Sequence, residues 1–357
     1  MRDKSKVTTK DVKNDAIKRM ILNAVIFLGL MFVTFWFIFK DQDFNDIIKI
    51  LGQVNPGFII IGLLCMVGYF SMEAWNINSL LKSFGEKINF FKALKFTLIG
   101  FFFCAVTPGA SGGQPLEIYY MTKEKISAGN ATIAILIQTC GIQFAVTLLG
   151  IICAIIGHGM LGGAVLWLFI IGLIINGVAF LILALCIFFP NWLRKVIRKI
   201  MGFVYKIGFT HAKEWQKSIE KGLDEYSESS KYIKTHRKEF IQALMKTTVQ
   251  IVLFFMIPFF VYKAFNLSGY NIFTLFTMQS ILFVATSGLP IPGAIGASET
   301  VFLSLYGAVF GEGLLSSAML LNRGINFYWF VIISMVVVLI NTVILRRVSG
   351  KDQLKKK

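Results

Sequence analysis

Residues 126–193 read ISAGNATIAILIQTCGIQFAVTLLGIICAIIGHGMLGGAVLWLFIIGLIINGVAFLILALCIFFPNWL and hold no Asp, Glu, Lys or Arg. A helix needs about 20 apolar residues to cross about 30 Å of hydrocarbon. This stretch is long enough to cross twice, with a turn at Gly157-His158-Gly159. Buried helices of soluble proteins rarely run so far without a charge. Working outward, Ile21–Phe39 is also uncharged, and 56% of the 357 residues are hydrophobic against 15% charged. A soluble domain carries about a quarter charged residues. The mean hydropathy of +0.70 agrees. The sequence therefore predicts an all-α, polytopic transmembrane protein whose membrane-embedded part is most of the molecule.

The basic residues set the topology. Arg2, Lys4, Lys6, Lys10, Lys13, Lys18 and Arg19 crowd the N-terminus, which the positive-inside rule puts in the cytoplasm. Full crossings are expected at about 20–39, 57–81, 128–156, 162–189, 241–265 and 314–345. A central segment, 190–240, is rich in Lys and Arg, and Arg346, Arg347 and Lys351 follow the last span. Both termini are then cytoplasmic. The domain reading is a basic N-terminus (1–19), a transmembrane domain (20–345) containing the basic loop 190–240, and a Lys-rich tail (346–357). The net charge of +17 lies beside membrane spans, where it attracts anionic phospholipids rather than nucleic acid. Within the loop Trp192, Val196, Ile200, Phe203 and Ile207 recur at helical spacing. They describe an amphipathic helix lying either on the membrane surface or on the protein itself.

Two apolar segments are broken. Phe96–Val106 is too short to cross and stops at Thr107-Pro108-Gly109-Ala110-Ser111-Gly112-Gly113-Gln114-Pro115, with Leu116–Met121 leading back to Lys123 and Lys125. Basic residues on both sides make this a re-entrant hairpin from the cytoplasm. Ile272–Leu289 ends at Pro290-Ile291-Pro292-Gly293-Ala294-Ile295-Gly296-Ala297-Ser298-Glu299, and Val301–Phe310 follows without a flanking base. This second hairpin is expected from the outside. The two share Pro-Gly-Ala-x-Gly, followed by a carboxylate, Glu117 or Glu299. Broken helices entering from opposite faces are the mark of an inverted-repeat transporter. Unpaired backbone groups cannot face lipid, so the breaks are either buried in protein or line a wet cavity, where their free N–H groups can hold an anion. Ordinary helix ends at short external loops are the alternative.

Ionisable residues within spans are costly and tend to be functional. Arg323 is the sharpest case, a candidate phosphate ligand by its planar guanidinium; a buried pair with Glu299, or snorkelling to the interface, is the alternative. Glu117 and Glu299 are candidate partners of Arg323, ligands of a cationic headgroup or proton carriers, and Glu73 has the same options. Gln114, Gln138, Gln143 and Gln250 either line a polar path or join helices. The candidate substrate-binding set is Arg323, Glu299, Glu117, Pro108, Gly109, Ser111, Gly112, Gln114, Pro292, Gly293, Gly296 and Ser298. Cys65, Cys104, Cys140, Cys153 and Cys186 are scattered through apolar runs, and His158, His211 and His236 form no metal motif. No catalytic residue, metal or cofactor is expected.

The Thr107–Pro115 segment, the Pro290–Glu299 segment and Asn322-Arg323 resemble the flippase-like transmembrane domain of the lysylphosphatidylglycerol synthase/flippase family, whose best-known member is the multiple peptide resistance factor of bacteria. The resemblance covers about residues 15–345. It implies a flippase of the bacterial plasma membrane that moves lysylphosphatidylglycerol or a related polar lipid to the outer leaflet, linked to resistance against cationic peptides. In full-length relatives a separate soluble domain makes the lipid from aminoacyl-tRNA; the residues for that chemistry are not found here. Two other readings follow: a phosphatidylglycerol lysyltransferase, as the membrane part of or partner to such a synthase, and a non-transporting scaffold of a lipid-modifying complex. Expected partners are anionic phospholipids, a separate lipid synthase and a second copy of the chain.

Overall fold

A computed structural model describes residues 49–354, apart from 161 and 207–211; within it, side chains are not described at 200, 202–206, 212–219 and 343–354. The expected first span at 20–39, the basic N-terminus and Ile207 lie outside the described residues. So do the side chains of Ile200, Phe203, Arg346, Arg347 and Lys351.

The described chain forms helices α1 (Pro56–Ser83), α2 (Phe90–Val106), α3 (Gly113–Lys123), α4 (Ala128–Ile156), α5 (Gly163–Phe188), α6 (Pro190–Lys206), α7 (Ala212–Thr235), α8 (Arg237–Phe255), α9 (Ile257–Ala264), α10 (Ile272–Ser287), α11 (Ala297–Arg323) and α12 (Trp329–Leu354). Local chemistry starts several of them. Asn55, Asn89, Ser127 and Asn271 accept from backbone N–H groups of the first turns of α1, α2, α4 and α10, satisfying donors that helix geometry leaves free. Five described segments are long and apolar enough to cross a membrane: Pro56–Ser83, Ala128–Ile156, Gly163–Phe188, Arg237–Ala264 and Pro292–Thr342. They match the expected spans after the first. The fifth contains both the return arm of the second hairpin and the last span; Gly311, at φ 67° and ψ 166°, bends the chain between the two. On α5, Trp167, Ile171, Ile174, Val178, Leu181 and Leu185 are exposed in one stripe. A wide apolar stripe on the outside suits lipid rather than water.

The core is split across the thickness of the bundle. One cluster takes Ala74–Leu81 of α1, Ile133–Cys140 of α4 and Ala243 of α8, and packs around the first hairpin, α2 and α3. The other takes Cys65–Phe70 of α1, Ala145 and Val146 of α4, and Ile251 and Phe255 of α8, and packs around the second hairpin. The same three helices therefore hold one hairpin at each end, as an inverted pair requires. α12 covers the first hairpin, with Val331 and Val338 in its cluster.

The central segment is two helices rather than a loose loop. α6 and α7 lie together, joined by ion pairs Arg194–Asp224 and Arg198–Glu220. α7 docks on the protein. Tyr226 and Ser230 donate to the Cys186 and Ile187 carbonyls at 2.7 and 2.5 Å, capping the last turn of α5. Ser229 donates to Asn130 Oδ1 at 2.5 Å. The helix read from Trp192, Val196, Ile200, Phe203 and Ile207 is α6; it is joined to α7 by those ion pairs, while its Trp192 stays exposed.

Candidate functional site

The two Pro-Gly-Ala turns share one backbone. Thr107 and Ile291 are extended, at φ/ψ −113°/144° and −108°/132°. Gly109 and Gly293 follow at φ 57° and 58°, and Ala110 and Ala294 at φ 56° and 51°. Each turn closes with the same two bonds: Ala110 N–H to the Thr107 carbonyl and Ser111 N–H to the Pro108 carbonyl at 3.1 and 3.3 Å, against Ala294 to Ile291 and Ile295 to Pro292 at 3.1 and 3.2 Å. Proline fixes the entry and glycine tolerates the left-handed step. Beyond the alanine the copies part. Ser111 stays helical at ψ −20°, whereas Ile295 is extended at ψ 136°. The two turns pack against each other, so the hairpin tips meet.

The second turn is tied down by charge. The Gly296 N–H donates to Glu299 Oε2 at 2.7 Å, closing the N-terminus of α11. Arg323 Nε donates to Glu299 Oε1 at 2.7 Å and Nη2 to the Gly293 carbonyl at 3.0 Å. Tyr328 Oη adds a third contact to Glu299 Oε1 at 3.1 Å. The guanidinium also lies over the Phe327 ring, 4.4 Å from its centre. Residues Gly324–Tyr328 form a π-helical turn, a local widening common at functional positions. Arg323 is 8% exposed and Glu299 1%, so this is a buried ion pair between the second turn and the last helix.

The first turn has a different chemistry. Thr107 Oγ1 donates to the Phe103 carbonyl at 2.5 Å and accepts from the Gly112 N–H at 2.9 Å. Pro108, Gly109, Ala110 and Ser111 are exposed. Glu117 does not meet Arg323, contrary to one sequence expectation. It lies two positions later in its repeat than Glu299 does, and so points from α3 onto α2. There a Cβ added at Gly100 would come within 2.6 Å of Glu117 Oε2. Its Oε1 is buried without a hydrogen-bond partner. Lys92 and Lys95, at the start of the hairpin, pair instead with Glu124 at its end.

Between the tips lies a cavity of about 260 Å³. Of the candidate set, Gly109, Gly293, Ser298 and Arg323 line it; Glu117, Glu299, Pro108, Ser111, Gly112, Gln114, Pro292 and Gly296 do not. Six polar residues not in that set join them: Tyr69, Gln279, Thr286, Ser287, Asn322 and Asn326. Asn322 and Asn326 are 1% and 4% exposed, and the Oδ1 of each is without a partner. Cys104, read from sequence as a core residue, also lines the cavity. Gln138 and Gln250 sit elsewhere, in a buried network with Asn76 and Glu73. Among the described residues no group of three His, Cys, Asp or Glu is arranged to hold a metal.

Residues 20–334 match the family model described as the lysylphosphatidylglycerol synthase TM region. The chain is also 21% identical over 272 residues to a UPF0104 membrane protein of Archaeoglobus fulgidus, covering 75% of this chain and 82% of that one.

Proposed function

The chain belongs to the lysylphosphatidylglycerol synthase transmembrane family, and from that premise we propose that it is a lipid flippase whose headgroup site is the cavity between the two hairpin tips. The observation that carries the reading is the meeting of two alike turns at a mainly apolar cavity that holds a few polar side chains, Arg323, Asn322, Asn326 and Gln279 among them. Its volume suits a headgroup and leaves acyl chains in the bilayer. Asn322, Asn326 and Gln279 offer hydrogen-bonding groups to hydroxyls and amines, and two of these amides hold unused buried acceptors, which favours a ligand that donates. Arg323 is charge-balanced by Glu299, so the site selects by hydrogen bonding more than by net charge. Lysylphosphatidylglycerol, with an amine and glycerol hydroxyls, fits this chemistry. Basic helices at one end gather anionic lipid there, and rocking of one hairpin against the other alternates access.

The test is a leaflet assay. Purified protein is placed in liposomes carrying lysylphosphatidylglycerol or phosphatidylglycerol, and an impermeant amine- or headgroup-reactive probe reports the outer leaflet over time. Protein-dependent exposure, reduced at least tenfold by the pair Asn322→Ala and Asn326→Ala in protein of normal stability, is the expected result. Equal exposure with and without protein refutes flipping of these lipids. A second reading follows from the family description, which names a synthase region: the chain serves as the membrane part of, or partner to, a lysyltransferase. Transfer of lysine to phosphatidylglycerol by the purified chain and charged tRNA would favour it.

A further inference from the structure

The most unusual buried group outside the cavity is Glu117. It is 4% exposed, its Oε1 has no partner, and it lies inside the bundle beneath the first turn. A carboxylate in an apolar interior costs several kcal/mol unless it is paired or hydrogen-bonded. The titratable groups whose fields meet there are Glu73 and Tyr69 from α1 and Cys104 from α2. Among the described residues no Lys or Arg joins them. The nearest bases of the hairpin, Lys92 and Lys95, are held at its basic end by Glu124, and Arg323 is held by Glu299.

Glu73 is fixed from the opposite side by amides. Gln250 Nε2 donates to Glu73 Oε2 at 2.7 Å, Gln138 Nε2 donates to Gln250 Oε1 at 2.9 Å, and Asn76 Nδ2 donates to Gln138 Oε1 at 2.6 Å. This thread runs through α1, α4 and α8 and ends on the Asn76 Oδ1, itself buried and without a partner. The amides orient one carboxylate and supply no positive charge. A buried carboxyl with an unpartnered oxygen is held at lower cost neutral than charged. Glu117 packs on Gly100 of α2, and Cys104, one turn further along α2, lines the cavity, so Glu117 stands behind its wall.

We infer that Glu117 is a proton-binding site set behind the headgroup cavity, and that proton uptake and release there are linked to movement of the first hairpin. On uptake a hydronium ion from cavity water gives its proton to a carboxylate oxygen, leaving water. Release is the reverse, with the proton returned to water. With Glu117 protonated, the hairpin closes over a neutral interior. With it ionised, the charge must be met by water, which requires the wall of Tyr69 and Cys104 to part. The link to lipid movement rests on the flippase reading; the proton site does not.

Two experiments separate them. The first is infrared titration of the full-length chain in ester-free detergent. A carboxylic-acid C=O band is expected at pH 7 in the parent. It is lost in Glu117→Gln, shifted in Glu117→Asp, and bleached as pH rises. A parent with no such band at pH 7, or one whose band survives Glu117→Gln unchanged, overturns the site, whatever the protein does to lipid. The second is the leaflet assay with an imposed pH gradient. The parent is expected to change rate at least threefold between gradient and no gradient, and Glu117→Gln to show a single rate. A gradient-insensitive parent that still carries the infrared band leaves a proton site and refutes the coupling.

Discussion

The two hairpins carry the same turn and opposite chemistry. Around Gly293 an arginine, a glutamate, a tyrosine hydroxyl and a carbonyl are joined in one buried cluster. Around Gly109 the turn is exposed and held by the Thr107 hydroxyl and a weak bond from Cys104 Sγ to the Ala110 carbonyl at 3.7 Å. The carboxylate of the first hairpin keeps a buried oxygen without a partner; that of the second faces a cation. A repeated backbone thus fixes where the chain breaks, and the residues after the break decide whether it is rigid. On the proposed flippase reading, the second hairpin is the fixed wall of the cavity and the first the element that moves, since transport by inverted repeats is one repeat moving against the other.

Removing Glu299 should have the largest effect. Glu299→Ala leaves Arg323 buried without its partner, a class of change that costs about 3–5 kcal/mol. We expect a pronounced loss of monodisperse protein and of thermal stability in detergent, read by size-exclusion chromatography and a melting curve. Glu117→Gln, by contrast, removes no cation partner and should melt at or above the parental temperature. If the two variants behave alike, the asymmetry is wrong. A smaller difference is expected at the glycines. Both Gly109→Ala and Gly293→Ala put a Cβ into left-handed backbone, at about 1–2 kcal/mol. Only at Gly293 does that Cβ also run into the Phe327 ring, whereas at Gly109 the nearest atom is Pro290 Cα at 3.8 Å. Gly293→Ala should therefore melt lower than Gly109→Ala, and an inverted order would show that the second turn yields more easily than its contacts require.

The smallest effect lies outside both hairpins and serves as their control. Bonding to Arg198 holds the Glu220 carboxyl below its usual range. A lowered carboxyl pKa contributes stability at neutral pH that is lost as pH falls through the folded value, so the α6–α7 contact weakens only below about pH 4.5. Both groups face solvent, and the change is expected to be slight. Glu220→Gln should abolish the acid-side step in a pH series of melting temperatures without altering the ranking of the hairpin variants.

The spans were legible because a bilayer imposes a length and a composition that residues 56–83, 128–156 and 163–188 meet plainly. The breaks were legible because proline and glycine interrupt apolar runs twice in one pattern. The face of each polar residue was not. Gln279, Asn322 and Asn326 sit in apolar helices, where one amide looks like another until neighbouring helices define an inside; sequence reading singled out Gln138 and Gln250, which belong to a different network. The partner of Arg323 was one of two open alternatives, decided by a shift of two positions in where each repeat sets its carboxylate. The docking of α7 was also hidden, since it rests on Tyr226, Ser229 and Ser230 reaching groups far away in sequence.

The split core has a consequence for how the molecule is made. Ribosomes deliver the first hairpin well before α12, which covers it. Until α12 arrives, the faces of Phe103 and Tyr120 that end in the same cluster as Val331 and Val338 lack that cover. Arg323 likewise reaches Glu299 only after the whole of α11 has been made. A nascent chain stopped before Arg323 would hold both Pro-Gly-Ala turns and still lack the ion pair and the helix that hold them in place.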